Sequence, residues 1–327
     1  MIELRALTIG FPKNDGSTAI AVRDLDLSVA RGDRIGIVGE SGSGKSLTAL
    51  ACLGLVPEPG RILGGEILIA GEALESVSES RLQELRGGRI GITFQEASNA
   101  FNPVYTVGFQ LQEVLRVHRG VDRIEGRDLG RELLEMVAID EPERVFSAYP
   151  HQLSGGQAQR AMLALALAGT PRLLIADEPT SSLDLVTKIE ILDLVRRLVE
   201  HGELGLLFIS HDLKMVRHAV DRLIVMYEGE IVEEGPSDIV FGDPLHPYTA
   251  MLLGLGIDDG RRARASESSP KPGSSSVHSE GCRFTSRCPH GRDSCLHTQP
   301  ELIELPGDRK LRCPVVAAGE ESCRVEH

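Results

Sequence analysis

Two stretches of the chain carry residue types at spacings that can hold and cleave a polyphosphate. The first is GESGSGKS at 39–46, which fits G-x-x-x-x-G-K-S and lies between the apolar RIGIV and the helix-like SLTALACLGLV. Gly39, Gly42 and Gly44 allow a tight loop whose backbone N–H groups point at phosphate oxygens. Ser41, Ser43 and Leu47 lie in or beside the same loop and are expected contacts. Lys45 is expected on the β- and γ-phosphates, and the Ser46 hydroxyl on Mg²⁺. The second stretch is LLIADE at 173–178, an apolar strand that ends in two carboxylates. Asp177 is expected to hold Mg²⁺ and Glu178 to polarise the attacking water.

A third set of reactive side chains lies near the C-terminus. Of six cysteines in 327 residues, Cys282, Cys288, Cys295 and Cys313 follow one another with five, six and seventeen residues between them. Cys52 reads as a small buried residue of a helix, and Cys323 as a spare. Disulfides are disfavoured in a reducing compartment. Structural zinc usually shows a close C-x₂₋₄-C pair, which is absent. A four-thiolate iron–sulfur site tolerates irregular spacing, and Pro289 and Pro314 each follow a cysteine, as in one arm of bacterial ferredoxin motifs. Four unliganded thiols are the plain alternative.

These residues need elements to position them. Residues 1 to about 38 alternate apolar and polar positions, the pattern of antiparallel strands leading into one buried strand, and EILIAGEAL (66–74) extends that lobe. From about 108 to 149 the apolar positions take helical spacing, as a small insert. Strand 172–177, helix 187–202, strand 205–210 and helix 213–221 then alternate as a parallel sheet requires. Residues 257–280 are rich in Ser, Pro and charge with almost no apolar side chains, which reads as a linker.

LSGGQ at 153–157, continued by AQRAMLALALA and RLLIADEPTSSLD, resembles the signature of the ATP-binding-cassette family in order and spacing. The resemblance implies an α/β P-loop NTPase cassette, with a RecA-like core, an antiparallel β subdomain, a helical subdomain at about 96–165 and a small Cys-rich C-terminal extension. The boundaries expected are 1–255 for the nucleotide-binding domain, 256–281 for the linker and 282–327 for the extension. It further implies that Ser154, Gly155, Gly156 and Gln157 address the γ-phosphate of ATP held by another subunit, so that two cassettes close head to tail. Gln95 in ITFQ looks like the glutamine that contacts Mg²⁺ and the hydrolytic water. His211 in ISHDL resembles the switch histidine on the γ-phosphate, and Asp184 in SSLD the aspartate that reaches across the dimer. Phe11 sits where an aromatic stacks on adenine, a contact worth about 1–3 kcal/mol; it is also placed to be a core residue at a strand end.

Three further stretches, 54–74, 101–111 and GDPLHPYTAMLL at 242–253, resemble the ATPase subunits of peptide and nickel importers, HPYT at 246–249 most specifically. QEASNAF (95–101) departs from the Pro-containing run usual there. The resemblance implies two transmembrane permease subunits, a second cassette that is a paralogue, and indirectly an extracytoplasmic substrate-binding protein. It places the chain peripherally at the cytoplasmic face of the membrane and carries di- or oligopeptides, with nickel as the alternative. For the cysteines it implies a [4Fe–4S] cluster, preferred over zinc.

Composition narrows the classes. A formal net charge of −13 opposes a groove built for nucleic-acid phosphates. No apolar run approaches the ~20 residues needed to span a bilayer, and the start lacks the pattern of a secretory signal. The rival class, a soluble cassette protein of DNA repair or translation, usually has two cassettes, coiled-coil insertions or basic surfaces.

Overall fold

The computed structural model of the chain describes residues 1–180, 183–200, 204–255 and 281–317. The expected linker at 256–281 falls almost wholly outside the described residues, as does Cys323. The first strands are β1 (Ile2–Pro12), β2 (Thr18–Val29), β3 (Arg34–Val38), β4 (Arg61–Ile69), β5 (Glu72–Ala73) and β6 (Ile90–Thr93). They are followed by β7 (Leu173–Asp177), β8 (Gly205–Ser210), β9 (Arg222–Tyr227), β10 (Glu230–Pro236), β11 (Ile303–Leu305) and β12 (Arg309–Leu311). A four-stranded sheet has the order β2-β1-β4-β5, and an eight-stranded sheet the order β11-β12-β10-β9-β3-β8-β7-β6.

Strands β6, β7, β8, β3 and β9 run parallel to one another, and β10 joins β9 antiparallel. Their apolar runs are continuous because both faces are buried. Ile35, Ile37, Leu173, Ile175, Leu207, Ile209, Ile224 and Met226 point into a core shared with the antiparallel sheet. Val38, Leu174, Ala176, Leu206, Phe208, Leu223 and Val225 point the other way, into a core shared with the helices. This period of two sorts each strand into two cores.

The helical subdomain contains Val107–Arg119, Arg123–Met136, Pro142–Ser147 and Gly155–Leu167. Thr106 and Asp122 cap the first two by accepting from Phe109 N and from Ile124 N and Glu125 N. Phe146 packs where Gly108 and Gly130 leave room; a Cβ there would stand 2.2 and 2.7 Å from its ring. The helix expected over 213–221 is only Leu213–Val216. The chain must turn early into β9: Asp221 N donates to Arg34 O, and the Arg34 guanidinium holds the Asp221 carboxylate at 2.7 and 2.8 Å.

The Cys-rich extension adds to the cassette rather than standing apart. Strand β12 pairs antiparallel with β10, so β11 and β12 lengthen the main sheet. Three buried carboxylates of β10 fasten it: Glu230 to Arg283, Glu233 to Arg309, and Glu234 to Lys310. Glu233 is fully buried and also accepts from Leu245 N and His246 N. Glu233→Ala strands the buried Arg309 guanidinium and should cost about 3–5 kcal/mol. Urea unfolding checks this, and a loss under about 1 kcal/mol would mean that the exposed Asp243 suffices as the partner of Arg309.

Candidate nucleotide site

Register places the chemistry at one sheet edge. Val38 pairs with Ser210, and Asp177 with Ile209, so the segments that follow β3, β7 and β8 emerge together at the carboxyl ends of the parallel strands. There a cleft of about 650 Å³ is lined by Ser41, Gly42, Gly44, Lys45, Ser46, Leu47, Gln95, Glu178 and His211, with Ala21, Glu40 and Leu252 completing it.

The loop after β3 is forced by its glycines. Gly39 has φ 154° and a Cβ there would stand 2.1 Å from Met226 O; Gly44 has φ 99° with Ala21 O at 2.9 Å. Neither position has room for a side chain. Ser43 is buried within the loop. Lys45 is 4% exposed, and its Nζ donates to Gly39 O and Glu40 O at 2.8 Å, so the ammonium is held across the loop's own carbonyls. Burial lowers its pKa, opposed by the carboxylates of Glu178, Asp177 and Glu40.

Ser46 Oγ donates to Asp177 Oδ1 at 3.0 Å. Burial pushes the Asp177 carboxyl up to about 6, and the Glu178 charge adds to this while the Ser46 hydrogen bond and Lys45 oppose it. A hydroxyl and a carboxylate at this separation form an oxygen donor set suited to Mg²⁺. Glu178 has φ 45°, a left-handed conformation costly for a residue with a Cβ, and its N donates to Ile209 O at 2.9 Å. The turn aims its carboxylate into the cleft, where Oε2 lies 3.1 Å from His211 Nδ1. Gln95, just beyond β6, is exposed on the same cleft.

Six expected contacts lie elsewhere. Phe11 does not line the cleft; its ring packs over Gly60 and against the apolar core of the antiparallel sheet. Ser154 caps Gly155–Leu167, accepting from Gln157 N while Gln157 Oε1 accepts from Ser154 N, both at 3.3 Å. This capping box explains S-x-x-Q locally, and it leaves Ser154 and Gly155 exposed, with Gly156 beside them, away from the cleft. Asp184 is exposed and accepts from Val186 N, Thr187 N and Thr187 Oγ1, starting the helix Leu185–Glu200. Beside it Leu185, Val186 and Ile189 leave half or more of their surface in water.

Motif reading passed over Glu40, Tyr248 and Leu252. Tyr248 is wholly buried, and its hydroxyl accepts from Glu40 N at 2.8 Å, tying HPYT to the phosphate loop. His246, pushed down to about 3 by burial and therefore neutral, caps that turn by accepting from Tyr248 N. A carboxylate inside an anion-binding loop was the available signal, since it requires a cation nearby.

The four tail cysteines converge from separate segments. Cys282 N donates to Cys295 O, and Cys295 and Cys313 share a small apolar cluster against which Cys282 packs. Burial pushes Cys288 up to about 12, with Cys313, Cys282 and Cys295 near enough to add to the shift. All four are free thiols. Among the described residues, no group of three His, Cys, Asp or Glu side chains is arranged to hold a metal ion, so the expected cluster finds no ready-made ligand set. No described helix is long and apolar enough to cross a membrane.

Residues 22–181 match the ABC transporter family, and residues 232–295 the oligopeptide/dipeptide transporter C-terminal region. A Brucella abortus protein whose name assigns it to peptide import is 42% identical over 98% of this chain and 96% of its own. The oligopeptide transport ATP-binding protein AppD of Bacillus subtilis is 40% identical, and the dipeptide transport ATP-binding protein DppD of Escherichia coli 39%, each over 90% of both chains. Among solved structures, the dimeric post-hydrolysis state of the ATP-binding cassette MJ0796 with ADP and Pi has a TM-score of 0.65 at 29% identity, covering 72% of this chain and 99% of that one.

Proposed function

This chain belongs to the ATP-binding subunits of the ABC peptide transporters, and from that membership we propose that it hydrolyses ATP to drive import of di- or oligopeptides. The observation that carries the reading is the single cleft that gathers Lys45, Ser46, Gln95, Glu178 and His211 above Asp177. Lys45 leaves its loop carbonyls for the β- and γ-phosphates. Glu178, aimed by its left-handed turn, takes up the proton of the attacking water, and His211 orients that carboxylate and meets the γ-phosphate. Ser46, Asp177 and Gln95 would hold Mg²⁺, which supplies neutralising charge on the phosphate oxygens.

Ser154, Gly155, Gly156, Gln157 and Asp184 lie off their own chain's cleft, which supports a role at the cleft of a second cassette. The exposed Leu185, Val186 and Ile189 give that partner an apolar face. We place the pair, the second member a paralogue, on two permease subunits at the cytoplasmic face of the membrane, served by an external binding protein. The test is ATPase stimulation in the reconstituted complex. Stimulation by binding protein loaded with dipeptide or oligopeptide supports the reading; stimulation by nickel-loaded protein alone moves it to nickel, and turnover indifferent to the permeases moves it to the soluble class.

For the tail we propose that Cys282, Cys288, Cys295 and Cys313 hold a [4Fe–4S] cluster that fixes the extension. Its support is the approach of four thiols from separate segments; their arrangement must tighten to ligate a cluster, since among the described residues no three such side chains are set to hold a metal ion. A single zinc ion requires every sulfur about 2.3 Å from one point, whereas a four-iron cluster takes each thiolate on a different iron. Protein purified without oxygen should contain about four iron and four sulfide per chain, and Cys288→Ser less than half of that. Zinc, or no metal, sinks this part and leaves the ATPase standing.

A further inference from the structure

The phosphate loop carries a carboxylate where its ligand is a polyanion. Glu40 lines the cleft beside Lys45 and leaves 41% of its side chain in water. It is held by a residue far away in the chain: Arg287 Nη1 and Nη2 each donate to one Glu40 oxygen at 2.7 Å. This fork, the strong bidentate form of the pair, keeps the Glu40 carboxyl below the usual range. The guanidinium is itself set in place, lying 5.7 Å from the centroid of Tyr227 and 5.9 Å from that of Phe284. Phe284 is buried, with the Tyr227 and Tyr248 rings edge-on against it. The same Tyr248 holds the Glu40 main chain. The tail thus grips one residue of the phosphate loop by its carboxylate, while Tyr248, against which the tail's Phe284 packs, holds the amide of the same residue, and Arg287 immediately precedes Cys288.

We propose that Arg287 is a positioning residue for nucleotide binding, which neutralises the Glu40 carboxylate and holds it off the phosphates, and thereby makes ATP affinity depend on the seating of the Cys-rich extension. This deepens the nucleotide reading of the cleft and rests on it; it does not require a cluster. Without the guanidinium, a fixed negative charge remains at the entrance to a polyphosphate site, and like charges at such range repel. By linkage, nucleotide that favours the seated loop also favours the seated tail.

The test uses the full chain and the affinity for a fluorescent trinitrophenyl-ATP probe with Mg²⁺. Arg287→Ala should weaken binding about five- to tenfold, as expected for a lost charge-assisted fork. Turnover at saturating ATP should hold within about twofold, because the lost interaction affects binding and not the chemical step. Adding Glu40→Gln to Arg287→Ala should recover most of the affinity, since the repelling charge is gone; a purely structural role of Arg287 predicts no such rescue. If Arg287→Ala fails to fold, Arg287→Gln carries the same test, because an amide keeps a polar side chain of similar reach without the charge that neutralises Glu40. In the wild-type protein, ATP should slow amide exchange across 284–291. Affinity within twofold of wild type in the Arg287 variants, absence of rescue, or exchange indifferent to ATP overturns the proposal. A wild-type chain that fails to bind the probe removes the nucleotide reading and the proposal together.

Discussion

Glu178→Gln should leave ATP binding intact and lower turnover by a factor on the order of 10² to 10⁴, the usual contribution of a positioned base. The substitution is nearly isosteric, so the turn at φ 45° and the Glu178 N to Ile209 O hydrogen bond persist. What disappears is the carboxylate that faces His211 Nδ1 at 3.1 Å, the group proposed to take the proton of the attacking water. Because binding survives while chemistry stalls, ATP should accumulate on the variant and hold two cassettes together, visible by gel filtration as an ATP-dependent dimer when the paralogous subunit is present. Phosphate release above about a tenth of wild type would remove Glu178 from its role.

Lys45→Ala should fail one step earlier. The ammonium is 4% exposed and already desolvated, bonded among the described residues to Gly39 O, Glu40 O and, weakly, Ser43 Oγ, so little further desolvation opposes its move to phosphate. Its loss should weaken ATP binding on the order of 10²-fold, as for a buried charge-assisted contact. Arginine should not rescue it, because the pocket fits a compact point charge and not a planar fork. The two variants separate binding from chemistry: one traps nucleotide, the other never acquires it. Equal probe affinity in Lys45→Ala and wild type would contradict the geometry of the loop.

The parts of the site legible in the sequence are those where a motif and a strand coincide. GESGSGKS and LLIADE each adjoin a doubly buried strand, whose continuous apolar run cannot be mistaken for a surface element. The hairpin of β9 and β10 is less visible because the run RLIVMY is followed by four acidic residues that read as solvated surface, yet Glu230, Glu233 and Glu234 are buried. Its signal was the two-residue turn Glu228–Gly229, both at positive φ. Phe11 was legible as an aromatic at a strand end but not as the partner of Gly60. The fork between Arg287 and Glu40 spans 247 positions, and no local pattern announces such a contact.

The pairing of β12 with β10 has a consequence for synthesis. A chain made from its N-terminus presents β10 as an open sheet edge, with carboxylates lacking their tail cations, until residues 309–311 have emerged. Open edges are templates for pairing with other chains, and proteins emerging domain by domain are exposed to that hazard. Arg23 and Arg222 already face Glu230 and Glu234 on that edge, so Glu233 is the carboxylate left waiting for a tail cation, and the late arrival of Arg283, Arg309 and Lys310 turns all three into the lock.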